Sequence, residues 1–206
     1  GDEGWDFTAI VDSEWQWLDG DRVERRDRLR LEFSRRIGAG RIEAGGDIVN
    51  VSAGDSFEEL DGDDRVLDLR FLWPWMGGAL VSDIEYELTD ENRDDFEQNG
   101  TFSSTSAARN RVSAGLRYYP ADAWTFRATA SYRHSRFSDP EIRNGVEQRR
   151  RREERWRLST GAVYELGSGW SLNFSPEWEQ NSARRDGRDY ERFEVSAGIE
   201  KQLGWN

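Results

Sequence analysis

A chain of 206 residues with no cysteine and a single histidine has few means of building a reactive centre. The histidine, His134, is followed directly by Ser135, which sets a base beside a hydroxyl nucleophile. Hydrolytic chemistry needs those two groups within hydrogen-bond reach. In an extended strand, neighbouring side chains point to opposite faces, so the backbone itself keeps this pair apart. His134 shares the parity of Tyr132 and reads as a structural residue at a rim. The absence of thiols removes disulfides and thiolate metal sites. The acidic stretches DSFEELDGDD (55–64) and TDENRDDFE (89–97) offer carboxylates without the ordered ligand spacing of a calcium loop. The expectation is therefore no enzyme, no metal and no cofactor.

What remains is charge. Asp and Glu number 41 against 29 Lys and Arg, a net charge of −12, and Lys201 is the only lysine. Nucleic acid is excluded as the main partner, because phosphate binding needs a basic face. These charges follow a period of two. The phrase RVSAGLRYY (Arg111 to Tyr119) returns as RLSTGAVY from Arg157 and as FEVSAGIE from Phe193, each alternating apolar with polar or tiny residues. Such alternation is that of strands with one apolar face.

Ten runs of this kind stand at about 5–17, 26–37, 41–51, 65–73, 79–88, 111–119, 124–136, 155–166, 170–179 and 190–203. Short turn-like connections fall at 38–40, 74–78, 120–123 and 167–169, where Gly and Pro gather. The alternate connections, 52–64, 89–110, 137–154 and 180–189, are long and charged, after a first tight one at 19–21. Antiparallel pairing puts the long ones at one end and both termini at the other. No stretch reads as a linker, so residues 1–206 are taken as one domain. The uncharged stretches are far too short for a membrane helix, which leaves strands as the only spanning elements. The chain opens at Gly1 without Met, as a processed or trimmed chain would.

The apolar face carries bulky aromatics at its ends: Trp5 and Trp15 on the first run, Trp73 on the fourth, then Trp124 and Tyr132, Trp156 and Tyr164, Trp170 and Trp178. In the last three pairs the rings are eight residues apart. At roughly 3.3 Å per residue and a tilt of roughly 40°, that rises about 20 Å, close to the apolar band of roughly 25 Å on an outer-membrane barrel, so two aromatic girdles are expected. Between them lie small residues, among them Ala44, Gly46, Ala114, Ala128, Ala130, Thr160 and Ala162. A soluble β-sandwich or lipocalin-like binding protein explains the alternation equally well but would have an underfilled core at these positions. The opposite face is charged. Arg117, Arg127, Arg133 and Arg157 gather on the sixth to eighth runs, and Glu177, Glu179, Glu194 and Glu200 with Asp6, Asp12 and Glu14 on the ninth, tenth and first. Gly115, Gly161 and Gly198 fall on this face at mid-strand.

Short turns at one end, long loops at the other, paired aromatic bands and a polar inner face together resemble the bacterial outer-membrane β-barrel (porin-like) proteins. The resemblance spans the whole chain and implies an all-β, antiparallel up-and-down transmembrane barrel of about ten strands in the outer membrane, in contact with lipid and lipopolysaccharide. It implies passive transport. Closure would make the basic and acidic sectors neighbours on one wall and favour cations; side chains that interlock across the lumen would instead make a non-conducting scaffold in an outer-membrane protein assembly. Oligomeric state and any protein partner stay open. The run QRRRREER (Gln148 to Arg155) lies in a long loop, where its arginines suit lipopolysaccharide phosphates or an acidic partner, or are balanced by Glu153, Glu154 and the acidic loops. Ten strands are also similar to the omptin proteases, which use an Asp pair and a His–Asp pair at the rim; the lone His134 does not reproduce that set. The chain ends Leu203-Gly204-Trp205-Asn206, where many barrels end in Phe, a departure that fits either substitution by Trp205 or a truncated chain.

Overall fold

The computed structural model describes residues 4–18, 21–54, 61–94, 96–98, 101–143, 145–183 and 188–201. Fourteen strands follow in chain order: β1 Trp5–Leu18, β2 Asp21–Ile37, β3 Gly40–Ala53, β4 Gly62–Trp75, β5 Leu80–Arg93, β6 Phe96–Gln98, β7 Thr101–Ser103, β8 Ala107–Ala121, β9 Trp124–Phe137, β10 Ile142–Arg143, β11 Val146–Glu147, β12 Arg152–Gly167, β13 Trp170–Ala183 and β14 Tyr190–Lys201. The ten long ones form a single antiparallel sheet in the order β1-β2-β3-β4-β5-β8-β9-β12-β13-β14, so every strand pairs with the next long one in sequence. Each corresponds to one of the ten alternating runs.

The strands outrun those runs, mostly toward the long connections. β2 begins at Asp21 instead of 26, β8 at Ala107 instead of 111, and β5 continues to Arg93 instead of 88. A tilted strand crosses a bilayer in roughly 9–11 residues. Beyond that the ladder continues while both faces meet polar surroundings, and the alternation that marks a strand in sequence fades. The loops 89–110 and 137–154 also hold structure that the sequence does not announce. β6, β7, β10 and β11 pair in a second, four-stranded sheet, with Ile142 opposite Phe102 and Arg143 opposite Thr101. QRRRREER is likewise only partly loop, since Arg152 to Arg155 belong to β12. The acidic segment 55–60, the first turn at 19–20 and the C-terminal 202–206 lie outside the described residues.

The short connections fall where Gly and Pro placed them. At Gly167-Ser168-Gly169 three successive residues have φ of 86°, 52° and 76°, a left-handed run in which flanking glycines remove two of three Cβ penalties. Gly115 serves a different purpose: a Cβ there would meet the Asp83 carboxylate of β5 at 2.6 Å, so the missing side chain makes room for a charged neighbour on the adjacent strand.

The distribution of polarity is inverted relative to a soluble protein. Among the described residues, the buried apolar set is Val51, Ala107 and Phe137, whereas Glu24, Asp47, Asp64, Glu179 and Asn181 are buried. Leu67 is 61 % exposed and Ile84 58 %. An apolar face this large is stable against lipid and not against water. Its small residues open shallow recesses, one of about 530 Å³ over Ala114, Ala128, Ala130 and Thr160 and one of about 490 Å³ over Ala44 and Gly46.

The rows are staggered. Following Cα partners from Trp5 leads through Arg35, Ile42, Phe71, Ile84, Ala114, Ala130, Leu158 and Trp178 to Phe193. Trp5 opens β1 at the short-turn end, while Phe193 lies eight residues before Lys201 at the same end of β14. That offset is the shear of tilted barrel strands. Among the described residues no ladder joins β1 to β14, and β14 is exposed along its whole length, as is β1 from Trp5 to Trp17.

Candidate functional site

One face of the long sheet gathers the charged residues, and register decides which of them meet. On β1 to β4 the two arginines of β2 gather acids from the strands around them. Arg28 Nε donates to Asp47 at 2.9 Å and Arg30 to the other oxygen of Asp47 at 2.6 Å. Arg30 also reaches Asp68 at 3.0 Å, and Arg28 lies 3.9 Å from Asp12. A continuous chain Asp12–Arg28–Asp47–Arg30–Asp68 thus ties four strands edge to edge. Beside it a cavity of about 200 Å³ is lined by Arg30, Glu43, Asp47, Asp68, Arg70 and Glu85.

A second knot sits on β12 to β14. Arg157 donates twice to Glu179, at 2.9 and 2.6 Å, and approaches Glu177 at 3.3 Å. Arg192 stands 3.8 Å from both Glu177 and Glu194, and the Tyr190 hydroxyl donates to Glu179. Glu179 is 2 % exposed and is surrounded by Arg155, Arg157, Arg192 and the Tyr190 hydroxyl. These contacts run along the wall between adjacent strands.

Between the two knots, β8 and β9 carry six arginines and neither Asp nor Glu. Arg117 and Arg127 are exposed and opposite each other, with no ion pair among the described residues. Arg133 also lacks one. Arg111 turns to Glu85 and Glu87 at 3.1 and 2.6 Å, and Arg109 pairs with Glu91. The remaining anticipated acids, Asp6, Glu14 and Glu200, are exposed on the charged face of β1 and β14 and are without an ion pair among the described residues. Arg30, which joins β2 to β3 and β4, and Glu179, which joins β13 to β12 and β14, are the hubs of these networks; parity assigns both to the charged face, and only the pairing offset reveals their partners. Arg109 and Glu91 lie in what reads as loop.

At the loop end, Arg151 stacks on Phe137 with 3.2 Å to the ring centroid and pairs with Glu153 at 3.2 Å and Glu141 at 3.8 Å. Desolvation, with the like charge of Arg188 nearby, pushes its pKa down to about 10. The arginine run is thus partly matched by acids of its own loop. On the apolar face the register joins aromatics at both ends. Tyr132 and Trp156 meet at 4.7 Å and Trp124 and Tyr164 at 4.6 Å, on adjacent strands. Trp73 stacks on Phe71 at 5.8 Å, Trp5 and Trp15 lie under Arg35 and Arg25, Trp170 under Lys201, and Trp178 donates to Glu191. His134 stands opposite Asn110 and Glu154 on this face, and Ser135 is buried on the other. Among the described residues no group of three His, Cys, Asp or Glu is placed to hold a metal ion.

No family model and no curated protein sequence matches the chain. Solved structures do. The in-vitro folded OmpT, an outer-membrane protein of Vibrio cholerae, aligns with a TM-score of 0.55 at 12 % identity over 91 % of this chain and 60 % of that one. The outer-membrane expressed form aligns at 0.52 and 12 % identity, over 82 % and 53 %. The β domain of the Bordetella autotransporter BrkA aligns at 0.48 and 17 %, over 97 % and 86 %. The fold is that of the bacterial outer-membrane β-barrels, and the chain spans between half and two thirds of the OmpT structures it matches.

Proposed function

We propose that the chain forms the wall of a narrow, passive, porin-like channel in the bacterial outer membrane, with a preference for cations and no catalytic role. The observation that carries the reading is the division of charge on one face. β8 and β9 hold arginines alone, while Glu177, Glu179, Glu194, Glu200, Asp6, Asp12 and Glu14 are gathered on β13, β14 and β1. In a water-filled lumen this division supports a transverse field, and the surplus of carboxylates favours cations. Lipid and lipopolysaccharide meet the other face, with Trp5, Trp73, Trp124, Tyr164 and Trp170 at one interface and Trp15, Tyr132, Trp156 and Trp178 at the other.

A second reading rests on the ion-pair chain across β1 to β4. Interlocked charges of this kind stiffen a wall, which suits a non-conducting scaffold in an outer-membrane assembly. Planar-bilayer recordings separate the two. In a salt gradient the reversal potential is expected to show cation selectivity, reduced by Glu177→Gln combined with Glu194→Gln. An absence of conductance above background would remove the channel and leave the scaffold.

A further inference from the structure

One row of the charged face runs through Glu87, Arg111, Arg133, Arg155 and Asn181, so three guanidinium groups stand on three adjacent strands with no carboxylate among them. Directly opposed residues have Cβ atoms about 4.5–5.5 Å apart, and like charges at that spacing repel. The outer two are drawn away from the centre. Arg111 leans to Glu85 and Glu87 on β5, and Arg155 lies 3.7 Å from Glu179 on β13. Arg133 is left with no ion pair or hydrogen bond among the described residues, its Nε buried and unpartnered.

The next row toward the loops adds to this gap. Arg109 stands opposite Ser135 and keeps its own buried Nε free, although its terminal nitrogen pairs with Glu91. Ser135 is 1 % exposed, lies on the same face of β9 as Arg133, and has a hydroxyl without a partner, while Glu153 opposite it on β12 is drawn to Arg151 at 3.2 Å and Arg188 at 3.9 Å. Buried donors left unsatisfied cost free energy that a bound acceptor returns. On the same face, the row on the other side of Arg133 supplies Ser113 and Ser131, opposite each other. The geometry points to a binding site for a small soluble oxyanion, such as phosphate or a solute carboxylate, centred on Arg133 and Ser135 and flanked by Arg109 and Arg155.

A planar guanidinium holds two oxygens of such an anion at once, and the hydroxyl takes a third contact. The flanking arginines supply long-range attraction while keeping their own acids. Lipid headgroups are not the source, because the site is on the face opposite the exposed apolar one. The inference needs the fold but not conduction, and its failure leaves the channel reading untouched.

Inorganic phosphate titrated calorimetrically into the full chain, folded in uncharged maltoside micelles, tests it. Saturable binding at one site is expected, weakened about tenfold or more by Arg133→Gln. Arg117→Gln, which removes an unpaired arginine on the same face but outside this row, is expected to leave the affinity unchanged. Strand content by circular dichroism reports whether each variant folds. Should Arg133→Gln fail to fold, Ser135→Ala serves instead, with a loss of about threefold. No saturable binding by the natural chain would overturn the site. Equal losses from Arg117→Gln and Arg133→Gln would overturn it too, by reducing the effect to general attraction.

Discussion

The walls built by β1 to β4 and by β8 and β9 use arginine in opposite ways. In the first, Arg28 and Arg30 share Asp47 on the neighbouring strand, and Arg30 also reaches across β3 to Asp68 on β4. In the second, Arg117, Arg127 and Arg133 have no carboxylate on their own or each other's strand. Composition alone would rank both as charged. Interlocked pairs cancel their field and fasten strands together, whereas unpaired cations leave a field and free donors.

The largest test lies on β9, where arginine is tolerated on one face and not on the other. Ala128→Arg is expected to cost roughly 2–4 kcal/mol of stability in urea unfolding from lipid bilayers, as a charge near the lipid midplane does. Thr129→Arg, one residue on and on the charged face, should cost less than about 1 kcal/mol, the usual scale of a surface change. Equal costs would erase the distinction between the faces.

Next comes the interlocked wall itself. Asp47→Asn removes a carboxylate 8 % exposed that serves two arginines. A loss of about 2 kcal/mol is expected in the same unfolding assay, below the value for a fully buried pair because Arg28 is half in solvent. If the variant unfolds with the natural chain, the pairs fasten nothing. Smaller again is Trp156→Ala, which takes away the ring against Tyr132; beyond the lost area, about 1 kcal/mol belongs to the aromatic pair. The smallest effect is expected from Arg117→Gln, less than about 0.5 kcal/mol, since this exposed side chain has no ion pair among the described residues. Its signature should appear in reversal potential, as a shift toward stronger cation selectivity.

All ten long strands, both faces and the four described short turns are legible in the sequence because each depends on local chemistry. Period-two alternation is written into consecutive residues, and Gly167, Gly169 and Gly38 mark left-handed positions wherever they occur. The small sheet of β6, β7, β10 and β11 is not legible, since strands of two or three residues are too short to carry a period.

Which arginine meets which acid is a property of register. Arg28 and Asp47 are nineteen residues apart in sequence, and a shift of two residues along β3 would keep both on the charged face while parting them. The unpaired state of Arg133 arises the same way, from neighbours drawn to acids on β5 and β13 that the chain reaches only through intervening turns and loops. Alternation assigns a side chain to a face at the level of two residues. The stagger that sets its height against the next strand comes from tilt and turn geometry summed across the sheet, and only the folded structure performs that sum.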